Sequence, residues 1–94
     1  MNKKELFEKI GKYLEKEGAK KVSIFGSYAR DEEKPDSDID VIVTFSDSKS
    51  LLELVKIERE ISEKIGIKVD LVTEKSLSPY IREYVEKEMK EVYG

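Results

Sequence analysis

The chain has 94 residues, and its formal net charge is only −3 although 41% of the residues are charged, which argues against the basic surface that nucleic-acid binding needs. It contains no Cys and no His, so disulfides, thiolate zinc sites and histidine bases are excluded, and any catalysis must use carboxylates, hydroxyls, Lys, Arg or Tyr. The length suits one hydrophobic core and no long apolar run is present, so we predict a single domain over residues 1–94 in a cytoplasmic protein without a membrane span.

The first half of the chain predicts one helix and two strands. Four apolar residues at helical spacing follow a capping box at Asn2, and Gly18 ends the helix. Residues 21–25 form a short β-rich run, and residues 27–35 leave room for one helical turn and a loop. Residues 38–45 are rich in β-branched side chains and predict the second strand. The helical stripe consists of Leu6, Ile10, Tyr13 and Leu14.

The second half predicts a helix, a strand and a final helix. A second capping box at Ser50 begins a helix that ends at Gly66, and residues 67–72 predict the third strand. Ser78 and the proline after it begin the last helix, which we expect to continue to Val92 because the apolar residues keep helical spacing that far. The two stripes consist of Leu54, Ile57, Ile61 and Ile65, and of Ile81, Val85, Met89 and Val92.

The element order α-β-α-β-α-β-α predicts an α/β (α+β) fold in which helices flank a small, mixed, three-stranded sheet. The connection between the first and second strands is about a dozen residues long and carries little helix, which favours an antiparallel pair. The connection between the second and third strands carries a full helix and suits a right-handed parallel crossover.

Three aspartates form the first half of a candidate site. Asp38 and Asp40 are two residues apart on a strand, so both side chains leave the same face, about 6.5 Å apart at the backbone. Two charges at that distance repel by roughly 2–3 kcal/mol, a cost that a bound cation would offset. If the second and third strands are neighbours, Asp70 completes a cluster of hard oxygen ligands. Such a cluster favours two Mg²⁺ ions, or Mn²⁺, and in-line displacement at phosphorus.

Gly26 and Ser27 form the second half of the candidate site. A glycine that ends a strand before a helical turn lets a phosphate approach backbone N–H groups. An antiparallel pair of strands would bring this turn beside Asp38 and Asp40, so that an anion site and a metal site face each other. Arg30 follows the turn and is expected to reach a triphosphate or to stabilise developing charge.

Each of these features also has an ordinary structural interpretation. A Gly-Ser turn occurs in many folds, an Asp-x-Asp pair at a strand entry is often solvated, and Asp70 could face solvent. Arg30 could pair with Asp31 or Glu32 instead of a phosphate. The C-terminal tyrosines are better explained as core and rim residues than as a nucleobase platform, although they could form part of a partner interface; they are Tyr80, Tyr84 and Tyr93.

Two other motifs that contain an aspartate pair of this kind are excluded by the sequence around Asp38 and Asp40. An EF-hand loop that starts at Asp36 would need a glycine where Val41 stands and a bidentate glutamate where Asp47 stands. A nucleophilic aspartate of the phosphatase type would stand at the exit end of its strand, whereas Asp38 and Asp40 stand at the entry. The coincidence of turn, pair and third carboxylate therefore favours nucleotide chemistry.

The combination of Gly26-Ser27, ten intervening residues and Asp38-Ile39-Asp40 resembles the signature of the DNA polymerase β-like nucleotidyltransferase superfamily. Within it, Tyr28-Ala29-Arg30 and Pro35-Asp36-Ser37 resemble the minimal nucleotidyltransferases, short prokaryotic proteins often paired with a HEPN-domain toxin in toxin–antitoxin modules. The resemblance covers nearly the whole chain, as far as the final helix. It implies a nucleotidyltransferase fold and, for this chain, an antitoxin role beside a HEPN-domain toxin. Because a domain this small must grip a macromolecule, we expect it to act in a homo- or hetero-oligomer.

The resemblance also implies roles for individual residues. Asp38 and Asp40 would bind the metal ions, and Asp70 would be the third ligand and the base for the acceptor hydroxyl. Gly26 and Ser27 would hold the β- and γ-phosphates of a nucleoside triphosphate. The implied reaction is transfer of a nucleoside monophosphate, with AMP from ATP as donor and a tyrosine of the partner toxin as acceptor.

Two other functions stay open from the sequence. The chain could neutralise a toxin by contact alone, as a binding module whose carboxylates have no catalytic use. It could also be a structural domain that a cation stabilises and that has no affinity for nucleotides. Mutation of Asp38 and Asp40, and titration with ATP and Mg²⁺, distinguish these functions from the enzyme.

Overall fold

A computed structural model describes residues 2–94 of the chain. The helices are α1 (Lys3–Lys16), α2 (Leu51–Ile65) and α3 (Pro79–Glu86). The strands are β1 (Ala19–Phe25), β2 (Ile39–Phe45), β3 (Val69–Thr73) and β4 (Lys90–Tyr93), and short 3₁₀ turns occupy Gly26–Tyr28 and Glu74–Ser76. In the described residues, none of the helices combines the length and the apolar character needed to cross a membrane.

The strands form one mixed sheet in the order β3-β2-β1-β4. Strand β1 lies antiparallel to both β2 and β4, and β2 lies parallel to β3, to which it is connected through α2. The predicted α/β class, the antiparallel first pair and the parallel second pair are therefore confirmed. The short helical turn expected between β1 and β2 is present at Gly26–Tyr28.

The prediction of three strands and of a last helix that continues to Val92 is wrong. Helix α3 ends at Glu86, a tight turn follows, and Lys90–Tyr93 pairs with the edge of β1 that faces away from β2. The edge of β1 offers backbone hydrogen-bond partners that a longer α3 would have left unused. As a strand, the segment also lets Val92 and Tyr93 pack against the core, beside the buried Gly11 of α1.

The core lies between one face of the sheet and helices α1 and α2. The predicted helical stripes supply its helix side, with Leu6, Ile10, Leu14, Ile57, Ile61 and Ile65 buried, and the strands supply Val22, Ile24, Ile39, Val41, Val43 and Val69. Because side chains alternate along a strand, burial of Val41 and Val43 turns Asp40 and Ile42 to the opposite face. On that face Val85 of α3 and Ile42 are buried and line the same cavity.

Candidate active site

The sheet register places two carboxylates side by side. Asp40 of β2 pairs with Asp70 of β3, one residue inside the start of each parallel strand. Asp38 lies directly before β2, and the hydrogen bond from Ile39 N to Lys68 O holds the two strand entries together at 2.9 Å. All three aspartates are half-buried, so their charges are neither fully hydrated nor isolated from solvent.

The charges of the other two aspartates both act on the carboxyl group of Asp40. Burial raises the pKa of the Asp40 carboxyl above its ordinary value, and the negative charges of Asp70 and Asp38 raise it further. The positive charge of Arg30 opposes this shift, so Arg30 lies within electrostatic reach of the same carboxylate. The entry of β2 and β3 is therefore a site of concentrated negative charge that favours a cation.

The donor chemistry of this site fits a hard divalent cation, because aspartate oxygens are ligands that Mg²⁺ and Mn²⁺ prefer. Across residues 2–94, however, no three acidic side chains are already arranged as metal ligands. Asp38 instead points one oxygen toward Lys68, with 3.8 Å between Asp38 Oδ2 and Lys68 Nζ. A bound cation would offset the mutual repulsion of these carboxylates.

Gly26 brings the turn into direct contact with the carboxylates. The residue before it, Phe25, is the register partner of Asp40, and Gly26 itself has a positive φ of 72°. A Cβ atom at this position would overlap Asp40 Oδ2 and lie 3.2 Å from Asp40 Cγ. Glycine is thus required twice, for its backbone conformation and for the space that Asp40 occupies.

Backbone hydrogen bonds and two buried side chains hold the rest of the turn in place. The backbone N–H groups of Ala29 and Arg30 donate to the carbonyl oxygen of Gly26 at 3.1 and 3.2 Å. Tyr28 and Ala29 are buried in the core, whereas Ser27 between them and Gly26 is only half-buried. The turn therefore presents Gly26 and Ser27 beside Asp40 on a backbone that its neighbours hold in place.

Arg30 leaves this turn and contacts two glutamates. Its Nε donates to Glu32 at 3.0 Å, as one of the sequence alternatives anticipated, and its Nη1 donates to Glu88 at 3.1 Å. Sequence reasoning missed Glu88 because it assigned residue 88 to a continuing helix. It missed Lys68 because that residue looks like an ordinary exposed position in a strand.

The remaining candidate residues lie away from this site. Tyr80 and Tyr84 are exposed on α3 rather than in the core, at 89% and 65%, whereas Tyr93 packs against the core as predicted. A cleft of about 390 Å³ opens at the other end of β2 and β3, where its lining includes Phe45 and Thr73 and none of the predicted site residues.

Comparison with known proteins identifies the family to which the chain is related. The family model described as "Nucleotidyltransferase domain" matches residues 5–92. A Methanocaldococcus jannaschii protein that carries the provisional name protein adenylyltransferase is 45% identical over 92 residues, which cover 98% of this chain and 99% of that protein. The protein adenylyltransferase MntA of Thermococcus cleftensis is 38% identical over 88 residues, covering 94% of this chain and 82% of that protein.

Two solved structures that share the fold are chains of toxin–antitoxin complexes. A chain of a toxin–antitoxin crystal structure with AMP-PNP superposes with a TM-score of 0.85 at 26% identity, covering 94% of this chain and 73% of that one. A chain of the complex between tri-AMPylated Shewanella oneidensis HEPN toxin and MNT antitoxin superposes with a TM-score of 0.77 at 26% identity, covering 97% and 72%.

Proposed function

Because the chain belongs to the nucleotidyltransferase domain family, we propose that it transfers AMP from ATP to a hydroxyl group of a partner protein in a Mg²⁺-dependent reaction. The acceptor we propose is a tyrosine of a HEPN toxin, which the transfer inactivates, so that the chain acts as an antitoxin. One observation carries the proposal: the Gly26 turn has no space for a side chain because the Asp40 carboxylate occupies it, and Asp70 lies beside that carboxylate.

In the proposed reaction the site residues bind the metal ions, the phosphates and the proton of the acceptor hydroxyl. Asp38, Asp40 and Asp70 would hold the two Mg²⁺ ions, which when bound stabilise charge on the attacking and leaving oxygens. Gly26 and Ser27 bind the β- and γ-phosphates.

The chemistry is a single displacement at phosphorus. The acceptor oxygen forms a bond to the α-phosphorus of ATP, and its proton moves to the Asp70 carboxylate. The bond between the α-phosphorus and the α,β-bridging oxygen breaks, and pyrophosphate leaves past the turn. Arg30 holds the departing phosphates and offsets their charge.

A protein acceptor is supported by two independent observations. The acidic and basic side chains are interspersed and the net charge is −3, which gives the chain no surplus of positive charge for a nucleic-acid acceptor. Its relatives are named protein adenylyltransferases, and one structural relative is complexed with an AMPylated HEPN toxin. The same reasoning supports ATP as donor, since a related toxin–antitoxin structure contains AMP-PNP.

The proposal is tested by incubating the full chain with ATP, Mg²⁺ and the protein encoded beside it. We expect the partner to gain the mass of one or more AMP groups, which peptide mapping assigns to tyrosine. Asp38→Ala/Asp40→Ala should abolish the gain, whereas the control Asp47→Ala/Glu63→Ala removes two exposed carboxylates outside the site and should preserve it. Equal modification by both double variants would contradict the proposed site.

A second function, neutralisation by contact alone, is favoured by the exposed apolar face of α3. Tyr80, Ile81 and Tyr84 present large apolar surfaces to solvent there, as a protein-binding surface would. If contact suffices, Asp38→Ala/Asp40→Ala will suppress the toxin as fully as the natural chain without modifying it. If transfer is required, the same variant will leave the toxin active.

A further inference from the structure

The segment that follows the phosphate turn is held by ion pairs from two distant parts of the chain. Lys3 of α1 pairs with Asp31, and with Glu33 at 3.0 Å. Lys90 at the start of β4 also pairs with Asp31, at 3.6 Å. Asp31 has a φ of 58°, an uncommon conformation for a residue other than glycine, which persists where surrounding contacts determine it. Ion pairs from α1 and β4 therefore converge on the segment from which Arg30 extends.

The side chain of Arg30 is held in the same way. Its two carboxylate partners differ, because the side chain of Glu32 is 65% exposed in the same segment whereas that of Glu88 is 28% exposed in the α3–β4 turn. That turn is itself hydrogen-bonded, with the N–H groups of Glu88 and Met89 donating to Val85 O at 3.0 and 2.9 Å. Glu88 is thus the more rigid anchor for the guanidinium.

The orientation of Arg30 leaves it able to bind a further anion. A guanidinium has five N–H donors, and the contacts with Glu32 and Glu88 use Nε and Nη1. The side chain remains 38% exposed, and the Arg30 N–H donates to the carbonyl oxygen of Gly26 at 3.2 Å, which keeps the residue beside the phosphate turn. Arg30 therefore lies beside the turn with donors available, while its contacts with Glu32 and Glu88 restrain its rotamer.

We propose that Glu88 is a positioning residue, which holds Arg30 in the orientation that receives the triphosphate. The inference rests on the proposed function, since it assigns Arg30 to the nucleotide. Restraint of a long side chain before binding reduces the conformational entropy that binding would otherwise remove. The turn between α3 and β4 thereby contributes to nucleotide affinity through its contact with Arg30.

Two rival roles for Glu88 predict different results. A carboxylate that competes with the triphosphate for Arg30 would weaken nucleotide binding, so Glu88→Ala would tighten it. A carboxylate that only connects the α3–β4 turn to the rest of the fold would act independently of Arg30. Its removal would then lower affinity by the same factor whether or not Arg30 is present.

The test is a double-mutant cycle on the full chain, with calorimetric titration of α,β-methylene-ATP in the presence of Mg²⁺. We expect Glu88→Ala to weaken binding about threefold to tenfold, the range that loss of one pre-ordered side chain allows. Glu88→Gln, which keeps an acceptor oxygen, should recover part of the affinity. In the Arg30→Ala background, Glu88→Ala should have no further effect. The control Glu83→Ala removes an exposed carboxylate of α3 and should bind as the natural chain does.

The outcomes separate this inference from the proposed function. If the natural chain binds the analogue and Glu88→Ala binds it equally or more tightly, the positioning role is overturned. The proposed function is left intact by that result. An undiminished effect of Glu88→Ala in the Arg30→Ala background would overturn it too. Failure of the natural chain itself to bind the analogue would overturn both.

Discussion

Replacing Gly26 with alanine places a methyl group against the Asp40 carboxylate. The backbone at Gly26 is left-handed, with φ of 72°, which costs an alanine about 1 kcal/mol. The added Cβ would overlap Asp40 Oδ2, so that oxygen must move by about 1 Å to regain an ordinary contact distance. Crowding of this kind costs a further 1–3 kcal/mol, roughly, which gives about 2–4 kcal/mol in total.

The chain supplies a matched control for this substitution. Gly66 at the end of α2 has a φ of 73°, and a Cβ there would meet nothing within 4 Å. Gly66→Ala therefore carries the backbone cost alone, about 1 kcal/mol. In an Asp40→Ala background the crowding disappears, so Gly26→Ala should there cost the same as Gly66→Ala. Urea unfolding of the four variants measures all of these free energies.

The effect on transfer should exceed the effect on stability. A displacement of about 1 Å in one catalytic group can lower a rate about 100-fold, and we expect that loss in AMP transfer by folded Gly26→Ala. Gly66→Ala should retain full transfer. If Gly26→Ala unfolds like Gly66→Ala and keeps its activity, contact with Asp40 is not the reason for the glycine, and the coupling of turn and carboxylate is refuted.

Three further substitutions test the electrostatics and the packing. Asp70→Asn removes a charge that repels Asp40, so without divalent cations it should raise the free energy of unfolding by about 1 kcal/mol, allowing for solvent screening. Mg²⁺ should then raise the melting temperature of the natural chain more than that of the variant. Thr44 Oγ1 donates a hydrogen bond of 2.7 Å to Glu74, which lowers the pKa of the Glu74 carboxyl below its usual 4.5. The bond therefore contributes its full stabilisation above pH 4.5, and this contribution is lost as the pH falls through the lowered pKa of Glu74. Thr44→Val should cost about 1 kcal/mol in urea unfolding at pH 7 and less at pH 3. Tyr13→Phe removes the 2.6 Å bond to Glu60 between α1 and α2, and should cost about 1–2 kcal/mol without changing transfer. Equal stability of either variant and the natural chain at pH 7 would contradict the corresponding bond.

Much of the helical structure could be predicted because its signals are local. The side chains of Asn2 and Ser50 cap their helices by accepting hydrogen bonds from Glu5 N and Glu53 N, respectively. Gly66 ends α2 in a left-handed conformation. Each signal lies within one turn of the helix end that it fixes, so the sequence alone contains it. The apolar stripes are local in the same sense, because their spacing follows the helix period.

The parts that could not be predicted depend on residues far apart in the chain. Strand β4 forms because β1 has an unpaired edge, which no pattern within residues 90–93 indicates. Arg30 and Glu88 are separated by 58 positions, and their contact requires β4 to be a strand. The juxtaposition of Asp40 and Asp70 could be predicted only on the assumption that β2 and β3 are neighbours. The single-domain organisation, the cytoplasmic location and the Mg²⁺ ions stay predictions.

The central claim is that the site at Gly26 and Asp40 cleaves ATP between its α- and β-phosphates and transfers the AMP group. Parallel reactions with ATP labelled at the α- or the γ-phosphate test it directly, with the partner toxin as acceptor and Mg²⁺ present. We predict that the α-label becomes attached to the toxin, that the γ-label leaves as pyrophosphate, and that Asp38→Ala/Asp40→Ala transfers neither. Transfer of the γ-label to the toxin, or transfer of the α-label by the double variant, would contradict the claim.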